Sequence, residues 1–158
     1  MPASGNNAAV TNRISSVQDF NNGLTTNGSI NGTVTYFGHS GWVPINGQLH
    51  PALFVGQQAG ANTNVTDLNV NLLSNAQLEP NTTITLNGCH AGYGGPYSIA
   101  EQIALQLKRK VYAYTVGMFF SANPNSKYPG TPLPDHTPIY MLPSGGAKIS
   151  EFPAGGIH

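Results

Sequence analysis

Thr82-Thr83-Ile84-Thr85-Leu86-Asn87-Gly88-Cys89-His90-Ala91-Gly92 is the stretch on which the fold of this chain turns. Its first half is β-branched and apolar, the composition of a strand. Its second half is punctuated by glycine and holds the sole cysteine of the chain. Upstream, Thr33-Val34-Thr35-Tyr36-Phe37 has the same β-rich character and stops at Gly38-His39-Ser40-Gly41-Trp42. Downstream, Val111–Val116 is a third strand ending at Gly117. Between the second and third strands, Ser98-Ile99-Ala100-Glu101 is a capping box, with Ser at the N-cap and Glu three residues later. Ile99, Ile103, Ala104 and Leu107 give the helix that follows an apolar face, and Lys108-Arg109-Lys110 complement its C-terminal dipole.

Further out, Ile14, Val17, Phe20 and Leu24 recur at helical spacing, with Asn12 as cap and Asn21-Asn22-Gly23 as the stop. Residues 43–64 read as loop with a short strand or hairpin around Ala52–Val55. Val65, Leu68, Leu72 and Leu73 form a second helical stripe, although Asn69, Val70 and Asn71 are poor helix formers. Four prolines with Asn123, Asn125 and Gly130 make residues 121–137 a loop. Ile139–Leu142 and Ala147–Ser150 flank Pro143-Ser144-Gly145-Gly146 as a C-terminal β-hairpin. Residues 1–12 are small and polar and are expected to be a flexible segment; residues 13–158 form one domain. Alternating helices and strands predict an α/β fold, with a mostly parallel central sheet flanked by helices on both faces.

The length of 158 residues suits a single core. Charged residues make up only 8% of the chain, and six basic side chains balance six acidic ones. Nucleic acid is excluded as a partner held by phosphate contacts, because that mode needs a basic excess. The polarity comes instead from 17 Asn and 13 Thr, and 19 Gly and 12 Pro set many turns. No apolar run approaches the ~18 residues of a membrane span. No charged region followed by an apolar one opens the chain, so no signal peptide is expected. There is no phosphate-binding glycine loop with a Lys and no carboxylate cluster, so no cofactor or metal is expected.

Two strands thus end in His39 and in Cys89. In a parallel sheet both emerge at the C-terminal edge, where sites form. A thiol needs a base or a positive neighbour to become a thiolate near neutral pH. Glycines let backbone approach a substrate and offer N–H groups to an oxyanion.

A strand ending in His-Ser-Gly, a second ending in Gly-Cys, then a helix and a strand, resembles the caspase/gingipain-type (clan CD) cysteine peptidases. Ile84–Gly92 is similar to the nucleophile segment of their bacterial branch, including the self-cleaving cysteine protease domains of large toxins. The resemblance covers roughly residues 30–120. It implies a caspase-like fold, Cys89 as nucleophile and His39 as its paired base. It further implies an oxyanion hole from the backbone N–H groups of Cys89 and of Ser40 or Gly41. The substrate is then a protein or peptide. A secreted effector or a domain of a larger secreted protein, and a cognate inhibitor or immunity protein, are further expectations of the same kind. Loops after the later strands select the substrate side chain in this family, which makes Met118, Phe119 and Asp135 candidates.

Trp42 is read as loop packing or a substrate platform. His90 is a second polar candidate, ranked below His39 because adjacent residues at a strand end usually point apart. A His39/His90/Cys89 metal site lacks ligand spacing. Two other classes stay open at this point: a non-catalytic binding or interaction module of the same fold, and another Cys-His acyl-transfer enzyme. An accessible and reactive thiol separates the first of these from an enzyme; substrate class separates the second.

Overall fold

The computed structural model describes residues 10–56, 63–115, 118–121, 140–143 and 149–156. Residues 1–9, most of the segment expected to be flexible, and Asp135 lie outside the described residues. The chain is α/β. In order it forms α1 (Val17–Thr25), β1 (Thr33–Phe37), β2 (His39–Ile45), β3 (Gln48–Phe54), β4 (Val65–Thr66) and β5 (Thr83–Asn87). Then come α2 (Ile99–Leu107), β6 (Lys110–Tyr114), β7 (Met118–Ser121), β8 (Tyr140–Pro143) and β9 (Ile149–Phe152).

The main sheet is mixed and mostly parallel, in the order β1-β5-β6-β9. β1, β5 and β6 are parallel, with Phe37 opposite Asn87 and Leu86 opposite Ala113; β9 closes the far side antiparallel to β6. β2, β3 and β4 make a separate antiparallel sheet, and β7 pairs with β8 in a third.

Alternation along the strands sorts the two faces of the main sheet. Tyr36, Ile84, Leu86, Val111, Ala113 and Phe152 are buried, whereas Thr83, Thr85, Tyr112 and Tyr114 on the other face are half-buried. The buried set packs with Val17, Phe20 and Leu24 of α1 and with Ile99, Ile103 and Leu107 of α2 in one core. Phe20 meets Tyr36 with ring centroids 6.2 Å apart. Both helices therefore lie on the same face, which corrects the expectation of helices on both. α2 lies in the crossover from β5 to β6, whose right hand fixes the face it covers, and α1, which precedes β1, is held on that face by Phe20 against Tyr36.

Four local readings change as well. The hairpin expected within residues 43–64 begins earlier, at His39: β2 folds back on β3 through Asn46-Gly47. Both turn residues have positive φ, 51° and 81°, the signature of a type I′ hairpin. Val65–Leu73 is not a helix but a two-residue strand and a 3-10 turn at Val70–Leu72. Asn69 explains it, since its side chain accepts from the Thr66 N–H and donates to the Asn64 carbonyl, satisfying backbone that a helix would have used. The first helix is capped by Ser16 rather than Asn12, and it runs through Asn21-Asn22-Gly23. Among the described residues the C-terminal strands do not pair with each other as a hairpin: β8 pairs with β7 and β9 with β6. Phe152 is 4% exposed, and burying it against the core outweighs the local turn signal at Pro143–Gly146.

Among the described residues no helix is long and apolar enough to cross a membrane.

Candidate active site

β1 and β5 are neighbours, so their C-terminal ends leave the sheet side by side. His39 and Cys89 each stand two residues beyond the paired Phe37 and Asn87. The ladder continues one step past the strands, with the Gly38 N–H donating to the Asn87 carbonyl at 3.2 Å. The Ser40 hydroxyl then donates to the Cys89 carbonyl and ties the two segments together. Such a bond contributes about 0.5–1.5 kcal/mol. Cys89 is half-buried and outside any disulfide; His39 is exposed.

The glycines in both segments are there for close approach. A Cβ on Gly88 would come within 3.0 Å of the Gly38 carbonyl and against the Ser40 side chain. A Cβ on Gly38 would come within 2.7 Å of the Tyr36 ring. The Tyr36 hydroxyl donates to the His39 carbonyl at 2.6 Å. Burial pushes its phenol well above the ordinary tyrosine range, since the ionised form would lose its water.

The hairpin register decides which backbone donors remain at the edge. In a two-residue hairpin the residues flanking the turn, Ile45 and Gln48, form a hydrogen-bonded pair, and pairs alternate from there. The Gly41 N–H is thus used by β3, opposite Ala52, whereas the Ser40 N–H points away from β3. Pro44 and Pro51 both fall in non-hydrogen-bonded pairs, which is why this proline-bearing segment can be a hairpin at all.

Beyond Cys89 the chain turns sharply. His90 sits at φ 56°, a left-handed conformation costing an L-residue about 1–2 kcal/mol. The turn is held by Gly92 N–H to the Tyr114 carbonyl at 2.8 Å, Tyr93 N–H to the His90 carbonyl at 3.0 Å and Ala100 N–H to the Ala91 carbonyl at 3.1 Å. The His90 ring is exposed; its Nδ1 lies 3.2 Å from the Thr115 carbonyl, and Tyr93 packs against it edge-on at 6.1 Å. Trp42, half-buried, walls the same turn: a Cβ on Gly94 would meet its ring at 2.7 Å. The Trp42 Nε1 is buried and has no hydrogen-bond partner among the described residues.

The structure therefore gathers His39, Ser40, Gly41, Trp42, Cys89 and His90 at one sheet edge. Met118 and Phe119 lie on β7 two strands of chain later, and Asp135 is outside the described residues. Sequence reading missed Tyr36 and Thr115 as supports of the two histidines. Tyr36 reads only as an inward strand residue, and a backbone carbonyl leaves no trace in sequence. Among the described residues no three His, Cys, Asp or Glu side chains gather as metal ligands. No protein-family model, curated protein or solved structure matches this chain.

Proposed function

We propose that this chain is a cysteine endopeptidase of caspase-like type that hydrolyses peptide bonds with a Cys89–His39 dyad. One observation carries the reading: the two residues follow the ends of adjacent parallel strands in matching register, bridged by the Ser40 hydroxyl. A thiol and an imidazole placed this way on rigid strands are the parts that acyl transfer needs.

The Cys89 thiolate attacks the substrate carbonyl carbon, and the carbonyl electron pair moves onto oxygen. The outward Ser40 N–H receives that oxyanion, with the Cys89 N–H as the second donor that the family resemblance implies. The His39 imidazolium gives its proton to the amide nitrogen as the C–N bond breaks. Neutral His39 then takes a proton from water as its oxygen attacks the thioester carbon, the C–S bond breaks, and the acid product leaves with the thiolate–imidazolium pair restored. Trp42 and the turn after Cys89 wall the cleft that receives the peptide. A protein substrate, and an effector or self-processing role with a cognate inhibitor, follow from the same reading.

The test is cleavage of a mixed peptide library, read as new termini by mass spectrometry, with wild type beside Cys89→Ala and His39→Ala. Cleavage by wild type and by neither variant supports the dyad. No cleavage, together with a Cys89 that resists iodoacetamide in the folded protein, replaces it with an interaction module.

A further inference from the structure

His90 is the residue of the edge that the dyad leaves without a task. We infer that His90 is a second proton acceptor for the Cys89 thiol, poised by the Thr115 carbonyl; the inference rests on Cys89 being the nucleophile. Two independent observations point to it. Its Nδ1 lies 3.2 Å from a carbonyl, which can only accept, so Nδ1 carries the proton and Nε2 is left as the basic nitrogen. That is the arrangement of a base oriented by a third group. The His39 ring, by contrast, makes no hydrogen bond among the described residues.

The second observation is the backbone. Extended neighbours point apart, which separates Cys89 from His90 on a strand. At φ 56° the chain doubles back and that alternation no longer holds. A glycine would fit this turn without strain, and glycines stand at 88 and 92, yet a histidine occupies it. β6 supplies the Thr115 carbonyl, the turn itself supplies Cys89 and Tyr93, and β2 brings His39 to the same edge. No ion pair to His90 is found among the described residues.

In the step inferred, the Cys89 S–H bond breaks and its electron pair stays on sulfur. The proton moves to His90 Nε2, giving a thiolate beside an imidazolium whose other N–H stays on Thr115. The His90 proton then passes through solvent to the exposed His39, which gives it to the leaving amine as the C–N bond breaks.

The rate of Cys89 alkylation by iodoacetamide, followed by intact mass from about pH 5 to pH 9, tests this. Wild type, His39→Ala, His90→Asn and His90→Gly are compared. Asn and Gly both tolerate a left-handed backbone, so a shift common to the two reports the lost base rather than lost geometry, and either alone suffices if the other fails to fold. The expected result is wild-type alkylation persisting at pH 6 and a roughly tenfold loss there in the His90 variants, recovered about one pH unit higher. His90 profiles that overlay wild type, with collapse only in His39→Ala, overturn this inference and leave the peptidase reading standing. A wild-type profile of an ordinary thiol, with pKa about 8.5, overturns both.

Discussion

The Ser40 side chain has a task that the sequence did not suggest. Its hydroxyl binds the Cys89 carbonyl across the gap between two strand ends. Replacing it with Ala is expected to cost about 1 kcal/mol of stability, measured by urea unfolding, and, under the proposed peptidase reading, to lower peptide cleavage several-fold more than that loss explains. Tyr36 offers a test that depends on pH. Its phenol is raised by burial, so its contribution is complete below the unfolded value of about 10 and is lost as pH climbs from there toward the folded value. The urea midpoint of wild type is expected to fall steeply above pH 10, and that of Tyr36→Phe to fall less. At pH 7 the Phe variant should lose about 1 kcal/mol through the bond to the His39 carbonyl. Cys89 and His39 could be named from sequence because each follows a β-rich run. The role of His90 could not, because a positive φ at a non-glycine residue is set by the bonds around it rather than by its own identity.

Elements with continuous local signals were legible. β1 is an unbroken run of β-branched and aromatic residues, and β5 and β6 are rich in them. The Ser98 side chain does accept from the Glu101 N–H at 3.1 Å, as the capping box requires. β2 was hidden because Gly38–Gly41 and two prolines are loop vocabulary, and only pairing partners reveal that both prolines fall where no ladder N–H is needed. The 65–73 segment was misread because its apolar spacing is helical, while the competing asparagine bonds are invisible to a periodicity argument. The hairpin gives an element-scale prediction. Gly47 has φ 81°, so Gly47→Val is expected to lower stability by about 1–3 kcal/mol in thermal unfolding, whereas Asn46→Gly stays within a few tenths.

At the scale of the molecule, α/β class and a parallel sheet followed from the alternation of elements, but the side on which the helices lie followed from the hand of the β5–β6 crossover and the packing of Phe20 on Tyr36, which no local signal carries. The same holds for β9, whose place is set by the free edge of β6 and the burial of Phe152. Arg109 shows how distant parts are joined: its guanidinium donates to the carbonyls of Leu78, Glu79, Leu107 and Lys108, fastening the segment before β5 to the end of α2. Arg109→Ala is expected to cost about 1–3 kcal/mol in urea unfolding, and Arg109→Lys to recover little of it, since an ammonium lacks the planar fork. The parallel pairing of β1 with β5 joins Thr33 to Thr83, positions 50 apart in the chain. During synthesis, then, the β2–β3 hairpin can close as soon as it leaves the ribosome, while β1 waits for a partner that has not yet been made. The thiol and the imidazole are translated in separate halves, so under the proposed peptidase reading a nascent chain that stops short of β5 carries no hydrolytic hazard to the cell that makes it.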